Sequence, residues 1–210
     1  MLHHGRGVTA VPVSDQPARP RDRAVAALLI VMLIALSAIP LAALWRAFGP
    51  SADAAPDFSL TDGDGHPFRL RSLRGRPAII FFGYTHCPDT CPTVLARLAR
   101  AVHSAGLAND IRVALITVDP QRDSPAVLKK YVRLFDPGFI GLTGSPAALA
   151  PVYSAYGVRR SAVPDGAGQS GYTLQHSTTV YYVGRDGLTK AFGQADDDVP
   201  HITRRLQRVP

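Results

Sequence analysis

Glutamate is absent from this chain of 210 residues, so all 16 acidic side chains are aspartates. Lysine occurs only at 129, 130 and 190, and the other basic side chains are arginines. The formal charge is +7, but no long basic run with interleaved aromatics occurs, which argues against nucleic acid as a partner. Internal repeats are missing as well. Cysteine is scarce, with Cys87 and Cys91 the only two. What remains is a folded protein's composition, 46% hydrophobic and 19% charged, in a length suited to one domain with additions.

One of those additions is N-terminal. Residues 24–45, AVAALLIVMLIALSAIPLAALW, carry no charge and at helical rise match a bilayer core. Arg19, Arg21 and Arg23 precede the block, and Trp45 and Arg46 suit its far interface. The expectation is one transmembrane helix with a disordered cytoplasmic tail at 1–23, a linker at 46–55 and a folded domain at 56–210. The arginine bias puts the N-terminus in the cytoplasm and the domain on the periplasmic side of a bacterial inner membrane, where disulfides form. The competing reading is a cleaved signal peptide, cut near the small residues of SADAAP at 51–56.

From residue 56 strand and helix patterns alternate. DFSLTDGDGHPFRL predicts an N-terminal β-hairpin, and PAIIFFGY (77–84) a strand buried on both faces. Val94, Leu95, Leu98 and Val102 share one helical face, with Gly106 as the stop. IRVALITVD (111–119) predicts a second buried strand. Ser124-Pro125 and Ser145-Pro146 each open a helix, and FIGLTG between them is a short strand. Residues 159–171 are expected to be a polar loop. STTVYYVGRDGLTKAFG is a hairpin turning at Asp186-Gly187, and VPHITRRLQRV is a closing helix. This order implies an α/β fold around a partly parallel sheet, with ligand sites beyond the carboxyl ends of its strands.

Cys87 lies just past such a strand end. A disulfide between positions 87 and 91 closes a very small loop and removes only about 2 kcal/mol of unfolded-state entropy, so it is a poor staple. At a helix N-terminus the same sulfurs are favoured as thiolates. If 87–91 is helical, both sulfurs share a face one turn apart. Two thiolates are too few for a closed structural zinc site, whereas two thiolates and an imidazole suit copper. Among the histidines, His3 and His4 belong to the tail and His66 to a turn. His103 and His201 lie on helices, and His86 is too close to Cys87 to aim at the same ion. His176, before a strand in GYTLQHSTTVYYV, remains as either a third ligand or an ordinary surface residue.

Taken together and in order, GYTHCPDTCP, ITVDPQRDSP and YTLQHSTTVYYV resemble the Sco/SenC family of copper-binding proteins across about residues 55–207. The resemblance implies an exported, membrane-tethered thioredoxin-like fold. It implies one copper ion, as Cu(I) or Cu(II), held by Cys87, Cys91 and His176. It also implies assistance to the dinuclear copper centre of cytochrome c oxidase, with that enzyme's copper-bearing subunit or another periplasmic copper protein as partner. Members commonly carry Asp before the ligand histidine, where this chain has Gln175. Asp89 and Asp119 match acidic family positions; Asp89 reads as a helix-start residue and Asp119 as part of a strand-end turn, with metal tuning as the alternative role for each.

Three activities follow. The first is a metallochaperone, not an enzyme. The second is a thiol–disulfide reductase in which Cys87 and Cys91 act as a redox pair and keep an acceptor's cysteines reduced. The third is a copper sensor or store. Thioredoxin-like oxidoreductases usually have a cis-proline before the strand that faces their cysteines, whereas His176-Ser177 stands here, which favours metal binding. The CPT at 91–93 is similar to a peroxiredoxin motif, but Pro88 occupies the position where that motif has threonine.

Overall fold

The continuous apolar run at 78–83 lies inside the main sheet because both of its faces need cover. The computed structural model describes residues 54–164 and 171–208 together with Leu28 and Met32, with backbone alone at 190 and 191. Apart from Leu28 and Met32, which are helical, the block at 24–45 lies outside the described residues, as do the tail and most of the linker. Among the described residues no helix is long and apolar enough to cross a membrane.

The strands are β1 (Ser59–Asp62), β2 (Pro67–Arg69), β3 (Ala78–Gly83), β4 (Arg112–Thr117), β5 (Ile140–Thr143), β6 (Arg160–Pro164), β7 (Tyr172–His176), β8 (Val180–Val183) and β9 (Thr189–Gly193). The helices are α1 (Thr90–Ser104), α2 (Pro125–Val132), α3 (Pro146–Ala155) and α4 (Val199–Leu206). Seven strands form one sheet in the order β2-β1-β5-β4-β3-β8-β9. Within it, β3, β4 and β5 run parallel, while β8 joins β3 and β1 joins β5 antiparallel. The predicted N-terminal hairpin is present as β1–β2. Its turn is held by Asp62, whose Oδ1 accepts from the Asp64 and His66 amides, both at 2.9 Å, and by Gly65 at φ +84°.

Ile79, Ile80, Phe81 and Phe82 of β3 are all fully buried. Phe82 meets the rings of Tyr153, Tyr156 and Tyr181, so α3 covers its face. On the opposite face, the Phe81 and Gly83 side lies against α1. The four expected positions of α1 are all buried, and Gly106, at φ +72°, follows the helix. Ser124 and Ser145 cap α2 and α3 by accepting from the Val127 and Ala148 amides. Asp198 caps α4 in the same way through the His201 amide.

The polar segment at 159–171 departs from expectation. Residues 160–164 form β6, which pairs antiparallel with β7 as a second, two-stranded sheet. Four of the five β6 residues are exposed, so no buried face imprinted an alternating pattern on the sequence. Positions 165–170 lie outside the described residues.

Candidate metal centre

The thiol side of the site is built where β3 runs into α1. Gly83 ends the strand, and a Cβ there would stand 2.9 Å from Cys91 Sγ and 3.1 Å from Leu115 Cδ1. Only a residue without a side chain lets that sulfur seat against the strand end. The chain then turns, with the Cys87 amide donating to the Tyr84 carbonyl at 3.3 Å. Cys87 precedes the helix instead of lying on its first turn. Asp89 occupies the cap position, but its side chain accepts no hydrogen bond there. The sulfur of Cys87 does that work, accepting the Cys91 amide at 3.3 Å. It satisfies one of the donors that a helix start leaves open.

Neither cysteine is in a disulfide; Cys91 is fully buried and Cys87 half-buried. They divide the proton unequally. The thiol of Cys91 donates towards Cys87, and together with His176 and the amides of Cys91 and Asp89 this lowers the Cys87 pKa to about 4 against the opposing cost of burial. Cys91 is pushed far up, first by holding that hydrogen bond and then by burial. In the metal-free protein Cys87 is therefore the thiolate and Cys91 the thiol.

The imidazole arrives from β7. His176 closes that strand directly across from Arg160. Its Nδ1 lies 2.8 Å from the Ser177 carbonyl, an acceptor only, so Nδ1 carries the proton and donates. Nε2 faces the sulfurs, 3.6 Å from Cys91 Sγ. The Tyr84 ring stands edge-on to the imidazole, at 5.8 Å between centroids and 83° between planes. The two sulfurs and the imidazole nitrogen all lie within 4.8 Å of one another. Two soft sulfurs and one imidazole form a donor set that fits copper and falls one short of a closed zinc site.

The structure thus brings Cys87, Cys91 and His176 together. Gln175 points elsewhere: it is exposed and pairs with Ser161 across the hairpin. Asp119 is 2% exposed and forms an ion pair with Arg122, outside the cluster. His86 is exposed and hydrogen-bonds Thr85 Oγ1 through Nδ1 at 3.0 Å.

Sequence reasoning gave Asp123 no part. It is fully buried and accepts from the Thr85 amide at 3.2 Å, Thr85 Oγ1 at 2.5 Å and Thr117 Oγ1 at 2.6 Å. Burial raises its pKa, and the two threonines oppose that rise. It fixes the residue two positions before Cys87. Its place in ITVDPQRDSP was the available signal, but that motif alone does not say which segment the carboxylate will hold.

Comparison with known proteins agrees with this geometry. Residues 47–209 match the family model described as SCO1/SenC. The mouse protein named "Protein SCO2 homolog, mitochondrial" is 38% identical over 157 residues, covering 71% of this chain and 61% of that protein. The crystal structure of Arabidopsis thaliana ScoI with copper bound superposes with a TM-score of 0.69 at 33% identity, covering 74% of this chain and 96% of the other. The structure of Bradyrhizobium japonicum ScoI with copper bound gives 0.67 at 37%, covering 75% and 99%. The α/β architecture is thus the thioredoxin-like arrangement of these proteins.

Proposed function

The chain belongs to the SCO1/SenC family, and from that premise we propose that it is a copper chaperone taking one copper ion on Cys87, Cys91 and His176. The observation that carries the reading is the convergence of three soft or borderline donors within 4.8 Å, with Nε2 of the imidazole facing the sulfurs while the Ser177 carbonyl holds Nδ1. Copper is the cargo, as Cu(I) or Cu(II). Cys87 is poised to meet it first as a thiolate on the half-buried side, and Cys91 closes on it with loss of its proton. His176 completes the grip. The acceptor is the copper-bearing subunit of cytochrome c oxidase or another periplasmic copper protein with Cys and His ligands, receiving the ion by ligand exchange.

The uncharged stretch 24–45 and the arginines before it support a membrane tether, with residues 56–210 on the periplasmic side. Fusing a reporter active only in the periplasm to residue 210 tests this, since a silent, folded fusion overturns it.

The deciding experiment is a copper titration of the full chain in detergent with reduced thiols. One ion per chain and a strong sulfur-to-copper(II) charge-transfer band are expected. A His176→Ala protein with unchanged affinity and spectrum rejects the three-ligand site. A second reading is favoured by the unequal proton sharing of the thiols. Cys87 thiolate attacks an acceptor disulfide to give a mixed disulfide, and Cys91 then displaces the acceptor's second thiol. The acceptor leaves with two reduced thiols, and this chain carries a Cys87–Cys91 disulfide. That activity needs no imidazole, so His176→Ala retains it while losing the copper(II) band.

A further inference from the structure

The hairpin that carries His176 has no strand ladder to the main sheet; among the described residues β6 and β7 pair with each other alone. Two strands by themselves are marginally stable in water. Side-chain contacts must therefore set where the imidazole sits; Tyr84 at the end of β3 supplies some of them, and the others gather on the turn after β4.

Arg122 is the hub. Its Nε donates to Asp119, and its Nη1 donates to the Tyr172 carbonyl at 3.0 Å. The guanidinium lies 3.9 Å from the centre of the Tyr172 ring. The Tyr172 hydroxyl donates back to Asp119 Oδ1 at 2.7 Å. Main chain, ring and hydroxyl of one β7 residue are thus all held from one turn, four positions before His176. The pair is largely dry, with the Asp119 side chain 2% and the Arg122 side chain 16% exposed. The same turn supplies Asp123, which holds Thr85 on the thiol side.

Resting on the copper reading above, we propose that Arg122, backed by Asp119, is a positioning residue for His176: it pins β7 to the end of β4 and so sets the reach of the imidazole to the sulfurs. Lysine cannot replace it, because the fork that meets Asp119 and the Tyr172 carbonyl together is lost. The two copper states feel the loss differently. Two thiolates go far towards satisfying Cu(I), whereas Cu(II) takes more donors and favours imidazole nitrogen.

The test is Arg122→Gln in the full chain. Cu(II) affinity is expected to fall about 10–100-fold, the range for losing a residue that orients a ligand. The nitrogen coupling in its electron spin resonance spectrum should weaken, and Cu(I) affinity should fall less. Arg122→Lys is expected to recover little. Equal losses for both copper states, or an unchanged Cu(II) spectrum, overturn the proposal. A metal-free arm keeps it separate from the copper reading. In the apoprotein the Leu174 amide should exchange faster and the His176 imidazole resonances should shift. If both stay as in wild type, Arg122 positions nothing, whatever copper does. If wild type binds no copper, the chaperone reading falls and this arm still decides. Should Arg122→Gln fail to fold, Tyr172→Phe removes the hydroxyl link alone. The same apoprotein signals should then move by a smaller amount, and their constancy overturns the proposal.

Discussion

The two halves of the metal centre are built to different standards of rigidity. The thiol half grows out of β3 and α1, where ladder hydrogen bonds on both sides, a fully buried sulfur and a glycine seat leave one arrangement. The imidazole half rides on a separate hairpin. Tyr84 holds it by accepting the Leu174 amide at 3.1 Å and meeting Thr173 Oγ1 at 2.8 Å. Arg122 holds it through Tyr172, and Arg160 donates to the Val118 carbonyl at 2.8 Å. A protein that must grip an ion and then release it gains from this inequality. Under the chaperone function proposed above, the sulfurs would serve as a fixed platform and the nitrogen would leave and return on the separate hairpin without unfolding the core.

Equivalent truncations in the two halves should expose the contrast most strongly. Leu95→Ala, on α1 and fully buried, is expected to cost about 2–5 kcal/mol of global stability, as large cavities in closed cores do. Leu174→Ala, on β7 and 8% exposed, should cost clearly less in urea unfolding while loosening the β7 amides in hydrogen exchange. Equal global losses would mean that the hairpin and the core unfold as one unit.

A smaller perturbation tests the platform alone. Gly83→Ala forces a methyl group against Cys91 Sγ and Leu115, and overpacking of this kind costs about 1–3 kcal/mol. The displaced sulfur should change the charge-transfer band even though every ligand is present. An unaltered band at wild-type stability would show the thiol half to be as yielding as the hairpin.

Much of this contrast was legible in advance, and the hidden part has a physical cause. The apolar run of β3, the period of α1 and the Ser-Pro starts of α2 and α3 are local signals, and they fold as their neighbours in sequence dictate. Cys87, Cys91 and His176 were singled out because residue type and motif order carry chemistry directly. β6 was missed because its side chains face solvent and leave no period. Arg122, Tyr172, Tyr84 and Asp123 were missed for another reason. Each acts across the fold, as in the Tyr172 to Asp119 hydrogen bond spanning 53 positions, and no local pattern records that meeting. Asp89 stands at the helix start as its motif suggests, and the sulfur of Cys87 makes the capping contact there.

The smallest effect is expected when each half in turn withdraws its support from the Cys87 thiolate. Alkylation by iodoacetamide reads thiolate fraction, so in the metal-free, reduced wild type it should persist on Cys87 at acidic pH and halve near the thiol's pKa of about 4. Cys91, buried and protonated, should remain unmodified. The sign is set by which form the hydrogen bonds favour. They stabilise the thiolate, so removing a donor raises the midpoint. Cys91 supplies the largest contribution and His176 a lesser one, with burial working against both. Cys91→Ala should therefore move the midpoint up strongly, and His176→Ala by less than about 1 pH unit, the worth of one ordinary hydrogen bond. A His176→Ala shift as large as that of Cys91→Ala would place the imidazole inside the fixed platform and end the distinction between the halves.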